Sequence, residues 1–104
     1  MKGQEADIQT DIKDALLKSG MAIICKVKTN GLLRGSNGRR YSMGQDGMLD
    51  LYGMTKTGRY FEIEVKVPGE KPTIDQKQRI EKIQRHGGIA GWATSIDEAL
   101  EVIK

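Results

Sequence analysis

Cysteine occurs once in this chain, at Cys25, which excludes an intrachain disulfide and a zinc site built on thiolates. The single histidine, His86, argues in the same way against a multi-histidine metal centre or a Cys–His nucleophile pair. Proline appears only twice and no low-complexity tract is present, so the signature of extensive disorder is missing. The longest apolar run, Met21-Ala22-Ile23-Ile24-Cys25, falls far short of the ~20 residues that a membrane-spanning helix needs. The opening residues, MKGQEADIQTDIKD, carry no apolar core of a signal peptide, and an intracellular protein is the simplest expectation. Gly31, Gly35 and Gly38 match neither a Walker loop nor a dinucleotide fingerprint, so no nucleotide cofactor is expected.

What the chain does have is charge. Of its 104 residues 30% are charged and 38% hydrophobic, proportions that suit a globular domain with one core. The net charge of +3 is unevenly spread. Between Ala15 and Gln45 lie six cations, Lys18, Lys26, Lys28, Arg34, Arg39 and Arg40, and no acid. Of the 17 cations and 14 acids in all, that leaves eleven cations against fourteen acids elsewhere. Such segregation points to a basic surface for a polyanion and an acidic zone suited to a metal ion. A solvated basic loop is the plainer alternative.

Helical spacing of Ile8, Ile12, Ala15 and Leu16, closed by Ser19-Gly20, predicts a helix over residues 4–19. A strand follows at 21–28, with Ile23, Cys25 and Val27 on one side and Ile24, Lys26 and Lys28 on the other. The glycine- and cation-rich stretch after it reads as a loop. A second strand is expected at about 48–53 and a strictly alternating third at about 59–67. In the third, Phe61, Ile63, Val65 and Val67 face one way and Tyr60, Glu62, Glu64 and Lys66 the other. Pro68-Gly69 and Pro72 break it, and a helix runs from Thr73 to the stop at His86-Gly87-Gly88. A strand from Ile89 to Thr94 and a last helix, opened by a Ser95–Glu98 capping box, complete the order αβββαβα. Without repeat or linker, residues 1–104 read as one α/β domain with a mixed sheet.

The most informative pattern is Asp50, thirteen residues, then Glu64-Val65-Lys66. Period-two geometry puts Glu64 and Lys66 on one sheet face, about 7 Å apart along the strand. If the second and third strands pair, Asp50 lies beside Glu64. Adjacent carboxylates raise each other's pKa unless a cation separates them, and a hard ion such as Mg²⁺ prefers oxygen ligands. Lys66 is then placed to orient a water or to balance charge on a phosphate oxygen. Alternating Glu and Lys on the wet face of a strand is the competing reading.

Gly47-Met48-Leu49-Asp50-Leu51, Phe61-Glu62-Ile63-Glu64-Val65-Lys66 and Thr73-Ile74-Asp75-Gln76, with Gly87-Gly88 behind them, resemble the virus-type replication-repair nuclease (VRR-NUC) domain of the PD-(D/E)xK superfamily. The resemblance extends from Glu5 to the last strand, and Leu49 stands where that motif often has proline. It implies a restriction-endonuclease-like αβββαβ core, a central mixed sheet flanked by helices. It also implies that Glu5, Asp50, Glu64 and the backbone carbonyl of Val65 hold Mg²⁺ or Mn²⁺, that Lys66 is the catalytic lysine, and that Gln76 supports the site. Glu5 has a second explanation in the helix dipole, and Gln76, three residues after Thr73, in a capping box.

The function expected on these grounds is a metal-dependent DNA endonuclease of phage replication or repair, in a bacterial or phage-infected cell. Holliday-junction-type branched DNA is the expected substrate and a homodimer the working unit. Lys26, Lys28, Arg34, Arg39 and Arg40 are the expected phosphate contacts, and Met43, Met48 and Met54 are candidates for a pairing surface. A non-catalytic nucleic-acid-binding module and a sequence-specific restriction-type nuclease are the alternatives.

Overall fold

In the computed structural model, which describes residues 2–29, 32–34, 36–38, 40–42 and 47–104, nine elements follow one another. They are α1 (Lys2–Lys18), β1 (Ala22–Val27), β2 (Leu32–Arg34), β3 (Arg40–Ser42), β4 (Leu51–Thr55), β5 (Tyr60–Val65), α2 (Ile74–Arg85), β6 (Ile89–Ala93) and α3 (Ile96–Ile103). Four strands make a mixed sheet in the order β1-β4-β5-β6, antiparallel except for the parallel pair β5–β6 that α2 connects. The fold is α/β, as the sequence predicts.

One sheet face is apolar because Phe61, Ile63 and Val65 alternate along the central strand. They bury against Ile12 and Leu16 of α1 and Ala99 and Ile103 of α3. The opposite face carries Glu62 and Glu64, and α2 lies over it. α2 starts where the sequence places it: Thr73 Oγ1 accepts from the Gln76 N–H, and Gln76 Oε1 accepts from the Thr73 N–H. It stops at His86 and Gly87, which adopts a left-handed φ of 92°. α3 is capped a little differently from the expected box. Ser95 Oγ accepts from the Glu98 N–H, but the Glu98 carboxylate turns back to Thr94 N and Oγ1 rather than to Ser95.

Three expectations need correction. The basic stretch is not wholly loop: Leu32–Arg34 and Arg40–Ser42 form a small antiparallel hairpin with Arg34 opposite Arg40. β4 begins at Leu51, so Asp50 stands at the corner before the strand rather than inside it. Simple alternation also fails in β1, where a bulge between Ala22 and Ile24 turns Ala22 and Cys25 to the core and leaves Ile23 and Ile24 outside.

Candidate metal centre

The β4–β5 register sets Leu51 against Ile63, which brings the corner at Asp50 to the end of β5. There the Asp50 carboxylate accepts the Val65 N–H at 3.0 Å through Oδ2. Lys28 N–H donates to the Asp50 carbonyl at 2.8 Å, which ties the end of β1 to the same corner. Glu5, in the first turn of α1, reaches the spot from the other side of the sheet. Glu5, Asp50 and Glu64 each present a carboxylate oxygen within 4.8 Å of the other two.

Glu64 is 4% exposed. Burial, the Asp50 charge and a hydrogen bond with Asp50 push its pKa up, and Lys66 and Lys28 offset only part of that. Lys66 Nζ stands 3.7 Å from Glu64 Oε2. Gln76 bonds in two directions. Its Oε1 caps α2, while its Nε2 donates to Glu64 Oε2 at 2.9 Å.

A fourth carboxylate, not among the residues the sequence singles out, supports the site. Glu62, which only the competing reading puts on a wet face, is fully buried. Its oxygens accept the Leu49 N–H at 3.0 Å, Arg79 Nε at 3.0 Å and Nη2 at 2.6 Å, and the Tyr60 hydroxyl. Burial works against its charge, yet the Arg79, Leu49 and Tyr60 bonds together hold its carboxyl below the usual range. Leu49 precedes Asp50 and Arg79 lies one turn beyond Gln76, so Glu62 locks the Asp50 corner to the helix that orients Glu64. The signal was available: Glu62 shares a strand face with Glu64, and Arg79 shares a helix face with Gln76.

The expected phosphate contacts lie at several places. Lys28 sits against the acidic cluster, with Nζ donating to the Met48 carbonyl at 3.1 Å. Lys26 is exposed opposite Tyr52 on β4. Arg34 and Arg40 belong to the hairpin, and Arg39 lies outside the described residues, as does Met43. Among the described residues no helix is long and apolar enough to cross a membrane.

No family model and no curated protein matches this sequence. Solved structures do. A chain described as a VRR_NUC domain superposes with a TM-score of 0.65 at 20% sequence identity, covering 96% of this chain and 94% of that one. The chain therefore has the fold of a VRR-NUC domain.

Proposed function

We propose that this protein is a Mg²⁺- or Mn²⁺-dependent DNA endonuclease that hydrolyses phosphodiester bonds at the Glu5–Asp50–Glu64 cluster. The convergence of three carboxylates from α1, the β4 corner and β5, with Lys66 beside them, carries this reading. Burying Glu64 next to Asp50 is unfavourable on its own, and a hard divalent ion removes that penalty. An all-oxygen donor set suits Mg²⁺ or Mn²⁺, held by Glu5, Asp50, Glu64 and the Val65 carbonyl. Such an ion, when bound, supplies charge neutralisation at the scissile phosphate and a more acidic water.

The chain's own residues do the rest. Gln76 holds the Glu64 carboxylate in one rotamer, and Glu62 with Arg79 fixes the Asp50 corner. Lys66 Nζ, at the cluster's edge, is the group that orients the attacking water or meets a phosphate oxygen. Lys26, Lys28, Arg34, Arg39 and Arg40 grip the backbone without reading sequence. Branched DNA of the Holliday-junction type is the substrate that fits a small chain acting as a symmetric pair.

A cleavage panel of duplex, flap, fork and four-way DNA, with and without Mg²⁺ or Mn²⁺, tests this. Asp50→Asn, Glu64→Gln and Lys66→Ala are each expected to cut turnover by on the order of a hundredfold while DNA binding persists. Wild-type rates in all three variants would refute the assignment. DNA binding with no cleavage of any substrate would favour the non-catalytic module.

A further inference from the structure

At the end of α2 opposite the Glu5–Asp50–Glu64 cluster, and behind the Glu62–Arg79 pair, is a cavity of about 280 Å³, lined by Tyr60, Arg79, Lys82, Ile83, His86 and Gly88. That is room for about one ring system, at the lower end of the ~300–1,000 Å³ typical of small-ligand pockets. Its walls combine an aromatic ring and an aliphatic side chain with three side chains that carry or can carry positive charge. No acid is among its lining residues.

The polar groups are arranged asymmetrically. Arg79 is committed to Glu62 by two hydrogen bonds, so it forms a fixed wall whose charge that carboxylate balances. His86 Nδ1 lies 2.8 Å from the Lys82 carbonyl, which can only accept. Nδ1 therefore carries the proton, and Nε2 is the ring nitrogen left for another partner. Lys82 is exposed and has no salt-bridge partner among the described residues. Glycine is required at 88 for space: a Cβ there would stand 2.6 Å from Ile83 Cγ2 and 3.3 Å from the Tyr60 carbonyl.

We propose that this cavity binds one unpaired nucleotide of the DNA strand, its base against Tyr60 and Ile83 and its phosphate at Lys82. The inference rests on the nuclease reading above and adds a second DNA contact to it. Aromatic and aliphatic walls accept any base face, and the Lys82 ammonium, which has no salt-bridge partner among the described residues, meets its phosphate. Position supports it too. Lys82 and Ile83 follow Gln76 by six and seven residues on one helix, about 10 Å along its axis. That distance corresponds to about three nucleotides at 3.4 Å per step. A strand engaged at Glu64 and running along α2 reaches the cavity, but a fully paired base cannot enter it. The cavity thus selects DNA with unpaired bases near the cleavage point.

The test places 2-aminopurine at successive positions of a single strand and of a four-way junction, and follows its fluorescence with the metal chelated. Quenching is expected at a position about three nucleotides from the cleaved bond. Tyr60→Leu should abolish it and Tyr60→Phe, which keeps the ring, should restore it. Because Tyr60 also bonds Glu62, the exposed pair Lys82→Ala/His86→Ala provides an independent arm. It should weaken single-strand and junction binding about tenfold and leave intact duplex unaffected. Lys104→Ala, at the exposed end of α3, is the control.

Quenching at no position, or equal weakening for duplex and single strand, would overturn the proposal. Competition by millimolar dAMP as strong as by the oligonucleotide would also overturn it, in favour of a free-nucleotide site. Cleavage assays on the same preparations separate the two readings. Cutting without quenching removes only the cavity's role. Quenching that responds to these variants, without cutting under any metal, supports the cavity and removes only the nuclease.

Discussion

Glu64 and Glu62 are two residues apart on one strand face, and their surroundings drive them in opposite directions. Burial first, then the charge and hydrogen bond of Asp50, push the Glu64 pKa up to about 8. The folded chain thus keeps a proton there that the unfolded chain has already lost above the usual glutamate range, so stability falls as pH rises towards 8. In a chelator the melting temperature should drop between pH 5 and pH 8, and Glu64→Gln should flatten that slope. Mg²⁺ should raise the melting temperature at pH 8 and do little at pH 5, because the ion competes with the proton. Calorimetry over this range checks both, and a wild-type melting temperature that ignores pH would contradict them. Glu62 is the reverse case, since Arg79, Leu49 and Tyr60 keep it ionised despite full burial. Arg79→Ala leaves that charge buried without its partner and should cost about 3–5 kcal/mol in a urea titration. Glu62→Gln should cost less, because the amide oxygen still accepts the Leu49 N–H. A loss below ~1 kcal/mol for Arg79→Ala would mean that the clamp carries little of the fold's stability.

The elements differ in how openly their sequences announce them. α2 is legible from Thr73, Gln76 and the glycines after His86, because capping needs particular side chains at fixed offsets. β5 is legible from its alternation. The meaning of Glu62 is not, since alternation assigns a face but cannot say that a helix will cover it. β1 misleads for a different reason: the bulge at Ile23 adds one residue and shifts the phase, so Cys25 shares the core side with Ala22. Its trace lies in the partner strand, at Gly53, where a Cβ would stand 1.9 Å from the Ile24 carbonyl oxygen. Gly53→Ala forces backbone against backbone and should destabilise at or above the ~1–3 kcal/mol usual for overpacking. Denaturant midpoints will show it, and a neutral substitution would mean that the bulge relaxes freely. The β2–β3 hairpin escaped notice because three-residue strands with arginine and glycine around them carry no usable periodicity. The carboxylate cluster was legible as a set of residues. Its working parts, the Gln76 bridge to Glu64 and the Lys28 approach, depend on how α2 and β1 pack.

At the scale of the whole molecule the sheet leaves one side chemically unfinished. Among the described residues β1 pairs only with β4, and its outer edge shows Ile23 at 58%, Ile24 at 43% and Val27 at 42% exposure. Met48 and Met54, the described members of the methionine set singled out in the sequence, are half-buried, so they offer less free surface than these three. An exposed apolar edge strand invites another strand, and Lys26 is the only charge between these side chains to discourage it. Pairing β1 with β1 of a second copy about a two-fold axis would cover all three and close the assembly, as most homo-oligomers do. It would also give the working unit two carboxylate clusters related by the same symmetry as the arms of a four-way junction. Light scattering should therefore return twice the 11.5 kDa mass of a single chain. Ile23→Lys combined with Val27→Lys should shift the protein to monomer while far-UV circular dichroism stays unchanged, since both side chains already face water. On an end-labelled junction the dimer should make paired incisions on opposite strands, and the double-lysine variant should make single nicks. A wild-type protein that scatters as a monomer and nicks one strand only would eliminate this arrangement, because one cluster per particle cannot cut two strands in one encounter.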